Sequence, residues 1–235
     1  MPDQSPPLAF DFSRLAGTLI VFDGPDGSGK STQLEYLRQA VEAAGITVTR
    51  LREPGGTSIG EQIRDVLLAR KNEDMDLRCE MLLYMASRAQ LVRQQIRPAL
   101  DAGHLVLTDR YTSSTFAYQG GGGGIPFDEI QFIADFATEK LWPTLTVLFD
   151  IPIDSAMARL HNKGPKSSRP GTDNQSMLFG DRIEVRDLTY HERVRLAYLD
   201  QATRWPDRYR LVNADQPVQD VRTELMQTLA EFFTK

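Results

Sequence analysis

The sequence predicts an α/β domain of the P-loop NTPase kind: a five-stranded parallel sheet with helices on both faces. Three observations predict it. Short apolar runs rich in β-formers alternate with stretches of helical periodicity, the pattern of a parallel sheet with crossover helices. The stretch GPDGSGKST, Gly24 to Thr32, carries the Gly24-x-x-x-x-Gly29-Lys30-Ser31 frame of a phosphate-binding loop. Polar motifs follow the first three apolar runs directly, at the strand ends where open parallel sheets bind ligands.

The first strand is TLIVFD, residues 18–23. Leu34, Leu37, Ala40 and Val41 then recur at helical spacing before Gly45, which predicts a helix over 32–45. Four further runs read as buried strands: ITVTRL (46–51), HLVLTD (104–109), LTVLFD (145–150) and RYRLVN (208–213). Helices are predicted over 58–70, 76–100, 126–140, 153–162, 182–203 and 217–233. No repeat or interdomain linker interrupts this series, so residues 18–235 read as one domain. Residues 1–17 hold prolines and acids without the basic start and apolar core of a secretory signal. They read as a poorly ordered or accessory extension.

Composition narrows the function classes. The chain has 235 residues, 41% of them hydrophobic, and no apolar run nears the roughly 20 residues of a membrane helix. A net charge of −5 argues against broad electrostatic binding of nucleic acid. Neither a membrane nor a nucleic-acid partner is expected. Cys79 stands alone, which fits a reducing cytoplasm, and it reads as a buried structural thiol. His104, His161 and His191 are too scattered to hold a structural metal.

The loop has the residues its chemistry needs. Glycines let backbone N–H groups surround phosphate oxygens, and the helix N-terminus adds partial positive charge. Lys30 offers a mobile cation to the β- and γ-phosphates and Ser31 a hydroxyl to Mg²⁺. A glycine-rich turn that binds nothing is disfavoured by the strand before it and the helix after it. REPGG (52–56) follows the second strand and DRYTSSTFAYQGGGGG (109–124) the third, bringing Arg52, Asp109 and Arg110 near Lys30. An arginine after a strand can merely cap a helix or face solvent. Two of them opposite a P-loop point to a second phosphate group, gripped by guanidinium forks. The polar stretch 158–186 carries Arg159, Lys163, Lys166, Arg169, Arg182 and Arg186. It reads as a lid, at about 159–182, that closes over ATP, with a solvated linker as the alternative.

GPDGSGKST, REPGGT, DRYTSSTFAYQGGGGGI, DRIE (181–184) and VNADQP (212–217) stand in this order from about residue 18 to the C-terminus. Together they resemble bacterial thymidylate kinase, a nucleoside monophosphate kinase family with a mobile lid. The resemblance implies Mg-dependent transfer of the ATP γ-phosphoryl group to dTMP, giving dTDP for dTTP synthesis. It also implies a cytoplasmic homodimer, paired through the long helix that contains Tyr84.

The resemblance implies a role for each matching residue. Gly24, Gly27, Ser28, Gly29, Lys30, Ser31 and Thr32 would bind ATP, and Ser31 and Asp109 the metal. Arg52 and Arg110 would grip the acceptor monophosphate, and Arg64 would lie on the substrate side. Tyr84, where the family usually has Phe, would stack on the base, with Arg88 and Gln119 on its carbonyl and N3 edge and Thr115 nearby. Ordinary helix packing is the plainer account of Tyr84 and Arg88. Asp26, otherwise unfavourable inside a phosphate loop, would bind the 3′-hydroxyl of the acceptor sugar. The loop has no arginine, so the resemblance takes a catalytic cation from the lid. Arg159 and Arg182, flanking the insert 164–180, are the first candidates, and Lys163, Lys166 and Arg169 stay open. Catalysis would then rest on Lys30, Asp26, Arg110, Arg159 and Arg182.

Rival readings remain at this point. A kinase for UMP, dUMP or a broader set is the nearest rival: hydrogen bonding alone does not distinguish thymine from uracil, and the thymine methyl is worth only roughly 1–3 kcal/mol. A GTP-dependent switch needs an NKxD motif after a strand, whereas NKGP (162–165) follows a helix and lacks the acid. An inactive scaffold is disfavoured because Lys30, Ser31, Asp109 and the arginines are all present.

Overall fold

All five predicted strands form, within about two residues of their expected bounds, in a computed structural model that describes residues 10–162, 182, 183 and 186–234. They are β1 (Leu19–Asp23), β2 (Val48–Arg52), β3 (Leu105–Asp109), β4 (Leu145–Asp150) and β5 (Tyr209–Asn213). Every pairing is parallel and the order is β2-β3-β1-β4-β5. Central β1 is buried throughout because neighbours flank it and helices cover both faces. Side chains alternate across a strand, so Ile20 and Phe22 enter one core and Leu19 and Val21 the other. The expectation of full burial fails for β2 and β5. As the two edge strands they are only partly covered.

The helices are α1 (Lys30–Ala43), α2 (Ser58–Leu68), α3 (Leu77–Leu91), α4 (Arg97–Asp101), α5 (Thr112–Thr115), α6 (Phe127–Thr138), α7 (Ile153–Asn162), α8 (Leu188–Arg204) and α9 (Val218–Phe233). Leu34 and Leu37 of α1 and Leu225 of α9 pack on the Phe22, Val147 and Phe149 face of the sheet. Leu91 of α3 covers the opposite face with Val92 and Ile96.

The predicted helix over 76–100 runs instead as α3, a wider π-helical turn over Val92–Ile96, and α4. Pro98 has no N–H for the carbonyl four residues back, which favours such a turn just ahead of it. Asp76 caps α3 by accepting from the amides of Arg78 and Cys79. The helix phase turns Glu80 and Met81 inward, so Cys79 is exposed, contrary to the buried thiol expected.

Two other segments differ from expectation. The run after β3 is helical, α5 passing into a π-helical stretch over Phe116–Gly122. Its glycines admit α8: a Cβ on Gly121 would stand 2.3 Å from that of Ala197. The helix predicted from 182 begins at Leu188, where the Asp187 carboxylate accepts the Tyr190 amide at 2.6 Å.

Residues 10–17 belong to the folded body, although they were expected in a loose extension. Asp11 caps a 3₁₀ turn, Phe12–Leu15, and Leu15 is fully buried in the core with Phe10 and Phe12 against it. Arg14 donates to the Phe233 carbonyl at 2.5 Å. Residues 1–9 of the expected extension lie outside the described residues, as does most of the expected lid.

Leu15→Ala is expected to cost about 2–5 kcal/mol, the range for truncating a buried leucine. Urea denaturation followed by circular dichroism measures it, and a loss below about 0.5 kcal/mol would mark the segment as accessory.

Candidate active site

The phosphate loop joins the end of β1 to the start of α1. Gly24, Gly27 and Gly29 have φ of +132°, +83° and +87°, a region L side chains rarely adopt. At Gly27 the space is closed as well, since a Cβ would stand 2.4 Å from the Ala156 carbonyl oxygen of α7. No side chain caps α1 at Gly29, and while the Thr32 and Gln33 amides donate to the Gly29 carbonyl, those of Lys30 and Ser31 are left for an anion. Lys30 is buried and its Nζ donates to the carbonyls of Gly24 and Pro25, each at 2.9 Å. Burial, with help from the Arg110 charge, pulls this ammonium below its ordinary range, while Asp26, Asp109 and Asp23 pull it back.

A cavity of about 690 Å³ opens above the carboxyl ends of β1, β2 and β3, a size that suits a small-molecule site. It gathers most of the residues predicted for the site: Asp26, Gly27, Gly29, Lys30, Ser31, Thr32, Arg52, Arg64, Tyr84, Asp109, Arg110, Thr115 and Gln119. Gly24 and Ser28 lie in the loop without lining it, and the Ser28 hydroxyl is buried with no hydrogen-bond partner among the described residues.

Arg52 is held by Glu61 at 2.8 Å, and Glu61 also accepts the Gly56 amide. Arg64 donates to the Pro54 carbonyl at 2.9 Å. Ser31 donates its hydroxyl to Asp109 at 2.8 Å, so two hard oxygen donors from α1 and β3 stand together beside Lys30. That donor pair fits Mg²⁺, which takes few protein ligands and completes its shell with water and phosphate oxygens.

Arg110 has a φ of +73°, unusual for a non-glycine residue, which turns its side chain from the end of β3 toward the phosphate loop. The guanidinium meets Asp26 at 2.7 Å and Asp23 at 3.3 Å. It also donates to Ser114 and Tyr198 at 3.1 Å and to Tyr118 at 3.2 Å. Asp23 is fully buried and accepts from Ser113, Ser114, Tyr198 and the Gly24 amide. Asp23, Tyr118 and Tyr198 were missed from sequence. Asp23 is an acid at a buried strand end, and Tyr118 lies within the quoted motif after β3, so those two had a signal. Tyr198 comes from a distant helix and had none.

Arg88 was expected at the base edge, but it does not line the cavity and is only 1% exposed. Its Nε donates to Glu53 at 2.6 Å, and its two terminal nitrogens donate to Thr115 at 3.0 Å and to the Tyr111 carbonyl at 2.9 Å. Glu53, the unassigned acid of REPGG, does line the cavity. Burial pushes its carboxyl up to about 7, against the pull of Arg88 and with a push from Asp23.

Neither first candidate for the lid cation reaches the cavity. Arg159 donates to the Ala214 carbonyl at 2.8 Å. Arg182 is buried against Glu80 at 2.5 Å and the Leu67 carbonyl at 3.1 Å. Both side chains found acceptors nearer than the cavity, in residues distant in sequence. Lys163, Lys166 and Arg169 lie outside the described residues.

The family model described as Thymidylate kinase matches residues 22–225. A thymidylate kinase of Pseudomonas fluorescens is 41% identical over 221 residues, which cover 94% of this chain and 99% of that protein. Those of an Exiguobacterium species and of Limosilactobacillus fermentum are also 41% identical. Their alignments cover 92% and 94% of this chain and 96% and 100% of theirs.

The Glu53 carboxyl sets a pH dependence. Its folded pKa of about 7 lies above the ordinary 4.5, so the native chain holds this proton more tightly than the unfolded chain. Its contribution to stability is present below 4.5 and is lost as pH rises through about 7. Glu53→Gln is expected to flatten that part of the stability curve, measured by urea denaturation from pH 4.5 to 8 (about the window of the shift). An unchanged slope would remove Glu53 as its source.

Proposed function

The chain belongs to the thymidylate kinase family, and on that premise we propose which residues carry out its reaction, the transfer of the ATP γ-phosphoryl group to dTMP. The products are dTDP, for dTTP synthesis, and ADP. The observation that carries the assignment is the meeting of Lys30, Arg52, Arg110 and Asp26 in one cavity over three adjacent strand ends.

Phosphoryl transfer asks chiefly for positioning and for neutralisation of charge. Lys30 and the free amides at the start of α1 hold the β- and γ-phosphates. Ser31 and Asp109 would hold Mg²⁺, which when bound neutralises charge on the β- and γ-phosphate oxygens. Arg110 and Arg52, with Arg64 beside them, grip the acceptor monophosphate. Asp26, braced by Arg110, takes the 3′-hydroxyl of the acceptor sugar and keeps the phosphate in line. Tyr84 stacks on the base, while Thr115 and Gln119 face its polar edge. Arg88 acts one layer back, where its bond to Thr115 orients that hydroxyl. The cation that meets the transferring phosphoryl group comes from the 163–181 stretch, with Lys163, Lys166 and Arg169 as its candidates.

The cytoplasm is the proposed location. Among the described residues no helix is long and apolar enough to cross a membrane, and the single cysteine suits a reducing compartment. A homodimer is proposed through α2, α3 and α6, a contiguous layer that exposes Ile59, Leu82, Phe132 and Phe136. Phe132 and Phe136 are 75% and 84% exposed, a large apolar area for one surface helix to leave in water.

An ADP-release assay with ATP and Mg²⁺, offering dTMP, dUMP, UMP, dCMP and dGMP in parallel, is expected to favour dTMP. Lys30→Ala is expected to lower turnover by about 10³-fold or more while dTMP still binds. Activity on UMP or dCMP instead would overturn the acceptor, and near-normal turnover of the variant would remove Lys30 from the chemistry. In light scattering after gel filtration, the wild type is expected at twice the mass of the chain and Phe136→Glu at the monomer mass. A monomeric wild type would end the dimer proposal.

A further inference from the structure

Glu80 is a fully buried carboxylate that none of the roles above uses. It sits on α3, one turn before Tyr84, and each of its oxygens is taken. Oε1 accepts from Nε2 of Gln119 at 2.7 Å. Oε2 accepts from Arg182 at 2.5 Å and from Arg186 at 2.6 Å. Those two cations are tied down in turn, Arg182 on the Leu67 carbonyl and Arg186 over the Tyr190 ring at 4.5 Å. The two guanidinium groups compensate the buried charge, and their other contacts keep the carboxylate from turning.

This arrangement fixes the direction of a side-chain amide. A carboxylate ringed by two guanidinium groups accepts hydrogen bonds and donates none. The Gln119 end that faces it must therefore be the NH₂, whichever way the amide is otherwise free to turn. Gln119 lines the cavity on the same wall as Tyr84 and Thr115. Its Oε1 has no partner among the described residues and is not fully enclosed, so the oxygen is the end left for a ligand.

We propose that Glu80 is a positioning residue that sets pyrimidine specificity: by holding the amide of Gln119 it presents an acceptor to a base N3–H and so selects thymine or uracil over cytosine. Thymine and uracil carry a proton on N3, whereas cytosine N3 is itself an acceptor and meets the Gln119 oxygen lone pair to lone pair. The selection extends the dTMP kinase reading and rests on it, since it assigns the base to the wall formed by Tyr84 and Gln119. It does not separate dTMP from dUMP.

The test compares Glu80→Gln with the wild type on dTMP, dUMP and dCMP. The substituted amide can donate as well as accept, which frees Gln119 to turn. The ratio of kcat/KM for dTMP over dCMP is expected to fall about tenfold or more, mostly through KM for the acceptor. The dTMP to dUMP ratio and KM for ATP are expected to hold. An equal loss on all three acceptors would make Glu80 merely structural and overturn the proposal.

A second measurement needs no Glu80 variant and so survives one that fails to fold. In ¹⁵N-edited NMR of the side-chain amides, the Gln119 pair, assigned through Gln119→Met, is expected to be shifted downfield and to exchange slowly. A fast-exchanging pair with ordinary shifts would overturn the proposal. A wild type with no preference for dTMP over dCMP overturns the proposed selection together with the acceptor reading, whereas an equal loss on all three acceptors in the variant overturns the proposal alone.

Discussion

The ion pair between Arg110 and Asp26 is the contact on which the cavity depends. It ties the end of β3 to the phosphate loop at the end of β1, at 2.7 Å. The strands themselves bring these residues close but cannot set the angle between two polar side chains. Arg110 achieves it by an uncommon positive φ, and Asp23 beneath it collects the hydroxyls of Ser113, Ser114 and Tyr198. A carboxylate inside a phosphate loop would repel its ligand if it stood alone. With Arg110 against it, Asp26 adds an acceptor to the site while the pair adds little net charge.

The same device recurs around the cavity wall. Arg88 is buried with Glu53 and Arg182 with Glu80, which the partly buried Arg186 also meets. Buried ion pairs of this kind contribute little to stability, because desolvation offsets most of the Coulombic attraction. Their effect here is geometric. Each one carries a polar group that faces the cavity, Thr115 on Arg88 and Gln119 on Glu80, and a fixed charge allows that group one orientation. The charges are spent on direction.

Much of the fold was legible in the sequence. β1, β3 and β4 announce themselves by continuous apolar runs, and Lys30, Arg52, Asp109 and Arg110 by their place after strands. What was hidden depended on partners far apart in the chain. Nothing local distinguishes Arg88, whose donors are used up inside the wall, from Arg64, which lines the cavity. Cys79 and Glu80 are neighbours in sequence on different faces of α3, and only helix phase decides which of them is buried. Residues 10–17 looked like an extension because Pro2, Pro6 and Pro7 stand just before them, yet Leu15, with Phe10 and Phe12 against it, anchors the segment to the core.

An arginine in such a motif is therefore better sorted by its carboxylate than by its position. Arg88 meets Glu53 at 2.6 Å in a buried pair and gives Thr115 and a carbonyl its remaining bonds, so a ligand can be reached only through a neighbour. Arg52 shares Glu61 at the cavity rim, where water screens the pair and a phosphate can compete for the guanidinium. Arg110 stands between them. It has one short bond, to Asp26, while the others run from 3.1 to 3.4 Å, at or past the long end of the ordinary range. A dianionic phosphate can replace those long bonds without displacing Asp26. On the proposed assignment Arg110 would bind the acceptor's phosphate while it braces the carboxylate proposed for the sugar, so that one side chain would position both ends of the nucleotide's backbone.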